Sequence, residues 1–96
     1  MVRGSRLTSR RERLLGALTE LGASNVRVFG SVARGEETPT SDIDLLVDVS
    51  DDLGLFALAE MKGAVERILD APVDVVPSSS LKADIAAAVL AEARPL

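Results

Sequence analysis

Four residue types that support much of enzyme chemistry are absent from this sequence of 96 residues: histidine, cysteine, tyrosine and tryptophan. Without histidine or cysteine, the chain cannot build an imidazole or thiolate metal site, a Ser-His-Asp or Cys-His nucleophile, or a disulfide. Any catalysis must therefore use carboxylates, hydroxyls, arginine, lysine and backbone amides.

Aromatic residues and long apolar runs are also scarce. Phe29 and Phe56 are the two aromatics, although 47% of the residues are apolar, so the core must be aliphatic. The length fits a single domain spanning residues 1–96. No apolar run approaches the roughly 20 residues needed to cross a bilayer, and no signal-peptide core is recognisable. We therefore expect a soluble cytoplasmic protein that does not associate with membranes.

Positive charge is sparse outside the N-terminal segment. Residues 1–13 hold five arginines against one glutamate, a balance of +4, so the net charge of −4 leaves −8 for the remainder. We interpret residues 1–8 as a flexible basic tail. The acidic body argues against nucleic acid as the main ligand.

Periodicity and turn residues predict the secondary structure. A capping box from Ser9 to Glu12 opens the first helix, and the serines at 78–80 supply caps for the last. The pattern predicts an α/β fold, a small sheet with helices packed on it. Helices are predicted near 9–21, 55–69 and 81–93, strands at 26–29, 43–48 and 73–76, one helical turn at 31–35 and a loop at 36–41.

Two aspartates enter the second predicted strand. Asp42 and Asp44 are two residues apart, so their side chains point to the same side. Two carboxylates placed together repel each other, and a cation must neutralise them. The two lysines are far along the chain, so a divalent ion is the simplest candidate, and an oxygen-only ligand set selects Mg²⁺, Mn²⁺ or Ca²⁺.

Asp74 lies in the third predicted strand, within the apolar run VDVV at 73–76. By itself it is equally well explained as an edge-strand residue that faces solvent. If the third strand pairs beside the second, however, three carboxylates share one face of the sheet. Such a group would hold one or two Mg²⁺ ions, which suits phosphoryl or nucleotidyl transfer.

Gly30 and Ser31 form a turn between the first strand and a short helix. Glycine permits a tight turn, and the amides at a helix start together with the serine hydroxyl can bind phosphate oxygens. Alone, Gly-Ser before a helix is usually a helix cap. Arg34 is within reach of a triphosphate, with a solvated loop arginine as the equally good alternative.

Together these segments resemble the minimal nucleotidyltransferases of the DNA polymerase β-like superfamily. The resemblance rests on GSVARG at 30–35, a ten-residue spacer between Ser31 and Asp42, SDIDLLV at 41–47 and VDVV at 73–76. It implies a polymerase β-like core with a small mixed sheet flanked by helices. It also implies that Gly30 and Ser31 hold nucleotide phosphates, while Asp42, Asp44 and Asp74 are catalytic and ligate Mg²⁺.

The resemblance further implies an activity and a partner. The enzyme would transfer AMP from ATP, with two Mg²⁺ ions, to a hydroxyl of a HEPN-domain toxin and so act as an antitoxin. In this family the acceptor is often a tyrosine, and this chain has none of its own. The resemblance also implies a homodimer or a hetero-oligomer with the toxin.

Three alternatives remain open. The protein could neutralise its partner by binding, with weak or no transfer. It could modify a small molecule such as an aminoglycoside-like acceptor, although 96 residues leave no room for an acceptor domain. Finally, it could be a structural α/β domain, which would leave the paired aspartates unexplained.

Overall fold

The computed structural model describes residues 7–35 and 42–96. Within these residues, the predicted alternation of helices and strands is confirmed. The predicted loop at 36–41 and the first six residues of the predicted tail lie outside the described residues. The elements are α1 (Arg11–Glu20), β1 (Ser24–Phe29), α2 (Ser31–Arg34), β2 (Ile43–Asp48), α3 (Leu55–Leu69), β3 (Val73–Pro77), a 3₁₀ turn (Ser78–Ser80), α4 (Ala83–Glu92) and β4 (Arg94–Pro95).

The four strands form a mixed sheet in the order β3-β2-β1-β4. Strand β1 is antiparallel to both of its neighbours, β2 and β4. Strands β2 and β3 are parallel, and α3 makes the crossover between them. The predicted small mixed sheet flanked by helices is therefore confirmed.

The core lies on one face of this sheet, beneath α1 and α3. Leucines spaced four residues apart on α1 and apolar residues spaced four apart on α3 point inward, as the helical period requires. On β2, every second residue faces the same core. The fully buried members are Leu14, Leu18, Ile43, Leu45, Val47, Met61, Val65, Leu69 and Val73.

The start of α1 differs from the prediction. The capping box is wrong, because Arg10 is the N-cap of α1 and no side chain caps it. Residues 7–9 are already helical before the turn at Arg10, so Ser9 does not have the extended backbone of a capping residue. Leu7 was predicted to lie in a flexible tail, yet it is only 5% exposed and belongs to the core.

The last helix also begins differently. The serines at 78–80 form a 3₁₀ turn, and Lys82 is the N-cap of α4, without a side-chain cap bond. The serine hydroxyls donate elsewhere: Ser80 to the Pro77 carbonyl at 2.8 Å and Ser78 to the Asp48 carboxylate at 2.7 Å. These serines therefore hold the end of β3 against the sheet instead of capping α4.

Helix α4 is largely exposed, although Ile85, Val89 and Leu90 recur at helical spacing and favour burial of one side. None of its residues is buried, and Ile85 and Leu90 are 49% and 50% exposed. After α4, the chain adds β4, which was not predicted, beside β1, and the Leu96 amide donates to the Val26 carbonyl at 3.1 Å. Two residues are too few to give a local strand signal. No helix in the described part of the chain is long and apolar enough to cross a membrane.

Candidate active site

The predicted glycine-serine turn joins β1 to α2. Gly30 is the N-cap of α2 with φ 76° and ψ −154°, and Gly35 ends α2 in the left-handed conformation with φ 70°. Residues other than glycine rarely adopt these angles. Gly30 has a second constraint, because a Cβ at this position would collide with the Asp44 carboxylate. The turn therefore lies directly against that aspartate.

Two of the predicted aspartates are brought together by strand pairing. Asp44 on β2 is opposite Asp74 on the parallel strand β3 and opposite Phe29 on the antiparallel strand β1. Directly paired residues of neighbouring strands point to the same face. Asp42, exposed and one residue before β2 begins, lies two positions from Asp44. All three positions thus belong to the sheet face opposite the core.

The electrostatics of Asp44 reflect this crowding. Partial burial raises the pKa of its carboxyl above the ordinary value, and the charges of Asp74, Asp42 and Glu92 raise it further. The Arg34 guanidinium acts in the opposite direction. A divalent cation bound beside Asp44 would offset the repulsion and favour its charged form.

A lysine that was not predicted lies at the edge of this face. Lys62 of α3 reaches around β3, donates from Nζ to the Val73 carbonyl at 2.7 Å, and lies 3.8 Å from Asp74 Oδ1. Sequence position set the lysines aside as partners of Asp42 and Asp44, and it did not show that Lys62 lies beside Asp74. Sequence separation concealed the contact, since α3 precedes β3 and packs beside it.

A glutamate was also missed. Glu92, the last residue of α4, accepts a hydrogen bond from the Gly30 amide at 2.7 Å, and Arg34 Nη1 donates to both of its carboxylate oxygens at 3.1 Å. The Gly30 amide and the Arg34 guanidinium lower the pKa of Glu92. One signal was available, because a negative charge at the C-terminus of a helix opposes the helix dipole and calls for a compensating partner.

The donor chemistry of the aspartates suits a hard divalent cation, since all available ligands are oxygens. As arranged, however, the described residues contain no group of three acidic side chains that could hold one metal ion. Asp74, 61% exposed, lies beside Lys62. The fit to Mg²⁺ therefore rests on Asp42 and Asp44, adjacent on one face, with Asp74 as the neighbour across the strands.

A cavity of about 830 Å³ lies at the other end of the turn, against Arg34 and Gly35. Val28, Val32 and Leu96 contribute to its walls. The described lining residues include none of the three aspartates. The aspartates are therefore not part of this cavity; Asp42 and Asp74 are exposed, and Asp44 is half-buried.

Known proteins share this architecture. A solved structure described as a minimal nucleotidyltransferase is 43% identical in sequence and superposes with a TM-score of 0.88, covering 100% of this chain and 97% of that one. A solved toxin-antitoxin structure with AMP-PNP is 25% identical, with a TM-score of 0.75, and the match covers 91% of this chain and 69% of that chain.

Sequence comparisons agree with the structural ones. The protein adenylyltransferase MntA of Thermococcus cleftensis is 42% identical over 71 residues, which is 74% of this chain and 72% of that protein. The family model of the nucleotidyltransferase domain matches residues 11–96. The chain therefore belongs to the nucleotidyltransferase domain family, which confirms both the resemblance to minimal nucleotidyltransferases and the assignment as a nucleotidyltransferase.

Proposed function

We propose that this protein is an antitoxin that transfers AMP from ATP to a tyrosine hydroxyl of a HEPN-domain toxin, with Mg²⁺ bound. The observation that carries the proposal is the register of Asp44 against Asp74, with the Gly30 turn in contact with Asp44. Two similar proteins support the acceptor and the nucleotide: one is named a protein adenylyltransferase, and the other is a toxin-antitoxin complex with AMP-PNP.

The turn would bind the triphosphate. Backbone amides at the start of α2 and the Ser31 hydroxyl are hydrogen-bond donors, and Arg34 at the other end of the same turn adds a positive charge. Asp42 and Asp44 would hold the Mg²⁺ ions. When bound, the metal neutralises charge on the phosphates and on these carboxylates.

Asp74 is suited to activate the acceptor. Its carboxylate is 61% exposed on the edge strand, so a hydroxyl from another protein can reach it. Asp74 would accept the hydroxyl proton while the oxygen forms a bond to the α-phosphorus of ATP and the bond to pyrophosphate breaks. The AMP group would then remain on the acceptor and pyrophosphate would leave.

The acceptor has to come from a partner, because this chain contains no tyrosine. Helix α4 offers exposed apolar side chains, Ile85 and Leu90, and ends at Glu92 beside the turn. A toxin that packs on α4 would therefore be held close to the aspartates. The same exposed helix favours a second candidate function, in which the protein neutralises its toxin by binding without transfer.

Labelled nucleotide distinguishes these functions. The purified protein, Mg²⁺ and ATP labelled at the α-phosphate are mixed with the toxin encoded beside it, and label on the toxin is measured. We expect transfer that EDTA or Asp44→Asn abolishes, while Asp51→Asn, a change at an exposed turn aspartate, leaves it intact. A stable complex without transfer would instead identify neutralisation by binding.

A further inference from the structure

The Glu92 carboxylate connects the two ends of the nucleotide-binding turn. It accepts from the amide of Gly30, the residue before α2, at 2.7 Å, and from the guanidinium of Arg34, the last residue of α2, at 3.1 Å. The two bonds span 62 and 58 residues of sequence respectively. A single side chain of α4 thus fixes both the backbone and the charged group of a turn formed far earlier in the chain.

This contact differs from an ordinary surface ion pair. Exposed pairs contribute little because water screens them and two long side chains must be ordered. Here the Glu92 side chain is 30% exposed and its first bond is to a backbone amide, which cannot swing away. Since α4 buries none of its residues, its bonds to the turn cannot be attributed to tight packing of the helix.

The position of Glu92 within α4 points the same way. A carboxylate at the C-terminus of a helix faces the negative end of the helix dipole and is unfavourable there. The hydrogen bonds from Gly30 and Arg34 compensate for this unfavourable position.

We propose that Glu92 is a positioning residue: by accepting from the Gly30 amide and the Arg34 guanidinium it fixes both ends of the turn, so that the amides at the start of α2 and the Ser31 hydroxyl are arranged to receive the nucleotide phosphates. This inference rests on the proposed function, because it assigns the turn to nucleotide binding. Glu92 itself stays out of contact with the nucleotide. It lowers the cost of binding by ordering the turn beforehand.

Calorimetric titration with AMP-PNP and Mg²⁺ tests the role in the full chain. We expect Glu92→Ala to weaken binding by about tenfold to a hundredfold, the usual effect of losing hydrogen bonds to a charged group. Glu92→Gln should lose less affinity for AMP-PNP than Glu92→Ala, because its amide oxygen still accepts from Gly30, although the charge opposite Arg34 is gone. If the glutamine variant retains part of the affinity, the effect is due to positioning of the turn and not to loss of structure.

Asp48→Ala is the matched control. Asp48 lies at the far end of β2 and accepts hydrogen bonds from Asn25, Arg27 and Ser78. Its removal deletes at least as many bonds from the same sheet face without touching the turn. We expect a lower melting temperature but an unchanged dissociation constant for AMP-PNP.

The amide of Gly30 gives a second readout that needs no nucleotide. In the NMR spectrum of the free protein, its signal should shift and its hydrogen exchange accelerate in Glu92→Ala and less so in Glu92→Gln. A Gly30 amide signal and exchange rate that do not change in Glu92→Ala would refute the positioning role.

Binding of AMP-PNP to Glu92→Ala as tight as in the wild type would also overturn the proposal. Tighter binding would overturn it as well, because it would show that Glu92 competes with phosphate. A wild-type protein that binds no AMP-PNP would contradict the proposed function and the positioning role together.

Discussion

The two faces of the sheet differ sharply, although alternate residues of one strand supply both. On β2, Ile43, Leu45 and Val47 are 0% exposed beneath the helices. Between them, Asp44 and Asp48 lie half-buried on the other face, with charged and polar neighbours. Leu46, which lies between the two aspartates on their face, is also 0% exposed, so that face combines one buried apolar residue with the carboxylates. Stability thus depends chiefly on the first set of positions, and the proposed chemistry depends on Asp44. Substitutions on the same strand should therefore separate folding from activity.

The largest effect should come from the helix-covered face. Leu45→Ala removes a side chain that is 0% exposed at the centre of β2. The lost burial and the remaining cavity should lower the free energy of unfolding by about 2–5 kcal/mol. Urea unfolding followed by circular dichroism measures this change. Leu55→Ala, at a residue 83% exposed, is the control and should stay within about 0.5 kcal/mol of wild type.

Asp44→Asn should show the reverse pattern. Removing the charge nearest the turn should reduce AMP transfer at least about a hundredfold, a typical cost of losing one electrostatic group. Stability should stay the same or rise, because the substitution relieves repulsion with Asp74 and Asp42. Initial rates and urea unfolding on the same preparation check both statements. An active Asp44→Asn variant would contradict the metal-site assignment.

Two glycines flank α2 and differ in their surroundings. Gly30→Ala and Gly35→Ala both place a side chain at positive φ: the left-handed angles of Gly35 cost about 1–2 kcal/mol, whereas the angles of Gly30, φ 76° and ψ −154°, are adopted almost only by glycine. Only at Gly30 does the new Cβ also meet the Asp44 carboxylate, whereas nothing lies within 4 Å at Gly35. Gly30→Ala should therefore be less stable than Gly35→Ala and bind AMP-PNP more weakly. Equal stability and equal affinity for AMP-PNP in the two variants would contradict a close contact between Gly30 and Asp44.

The smallest effect concerns the pH dependence of two aspartates on one face. In the metal-free protein, the raised pKa of Asp44 means that its ionisation costs stability, and the cost disappears as pH falls through its folded pKa. Hydrogen bonds from Ser78 and Asn25 lower the pKa of Asp48. Its contribution is therefore present above the unfolded pKa, near 3.8, and is lost as pH falls through the lower folded value.

Asparagine variants measured in EDTA can test this contrast. Asp44→Asn should be stabilised relative to wild type at pH 7, with the gain shrinking as the solution becomes acidic. Asp48→Asn should be destabilised at pH 7, with the loss shrinking at lower pH. Urea midpoints measured between about pH 3 and pH 7, the range in which carboxyls titrate, give the two slopes. Slopes of the same sign would contradict the assigned environments.

Local patterns predicted most of the fold. Helix α3 was predicted at 55–69 and is observed at Leu55–Leu69, because apolar residues recur at helical spacing and Gly54 and Pro72 flank the segment. The motif at 30–35 likewise predicted the single turn of α2. Periodicity and turn chemistry are properties of neighbouring residues, so sequence shows them directly.

The missed strand and the missed side-chain contacts depend on contacts between distant segments. Strand β4 exists because β1 offers it a partner. Lys62 meets Asp74 only after α3 and β3 have packed, and Glu92 meets Gly30 across 62 residues. The exposure of α4 has a related cause. Apolar residues at helical spacing favour burial, but the spacing does not identify the surface that would cover them. The roles of Asp42, Asp44 and Asp74 stay predictions.

Both outer strands of the sheet contain a proline, Pro77 at the end of β3 and Pro95 in β4. Proline has no amide hydrogen to offer an approaching strand, and Lys62 already occupies the Val73 carbonyl on the β3 side. The sheet is thus poorly suited to grow by adding strands from another molecule. The strand edges therefore resist aggregation by strand addition. We expect this protein to associate with others through its helices or through the sheet face that carries the aspartates.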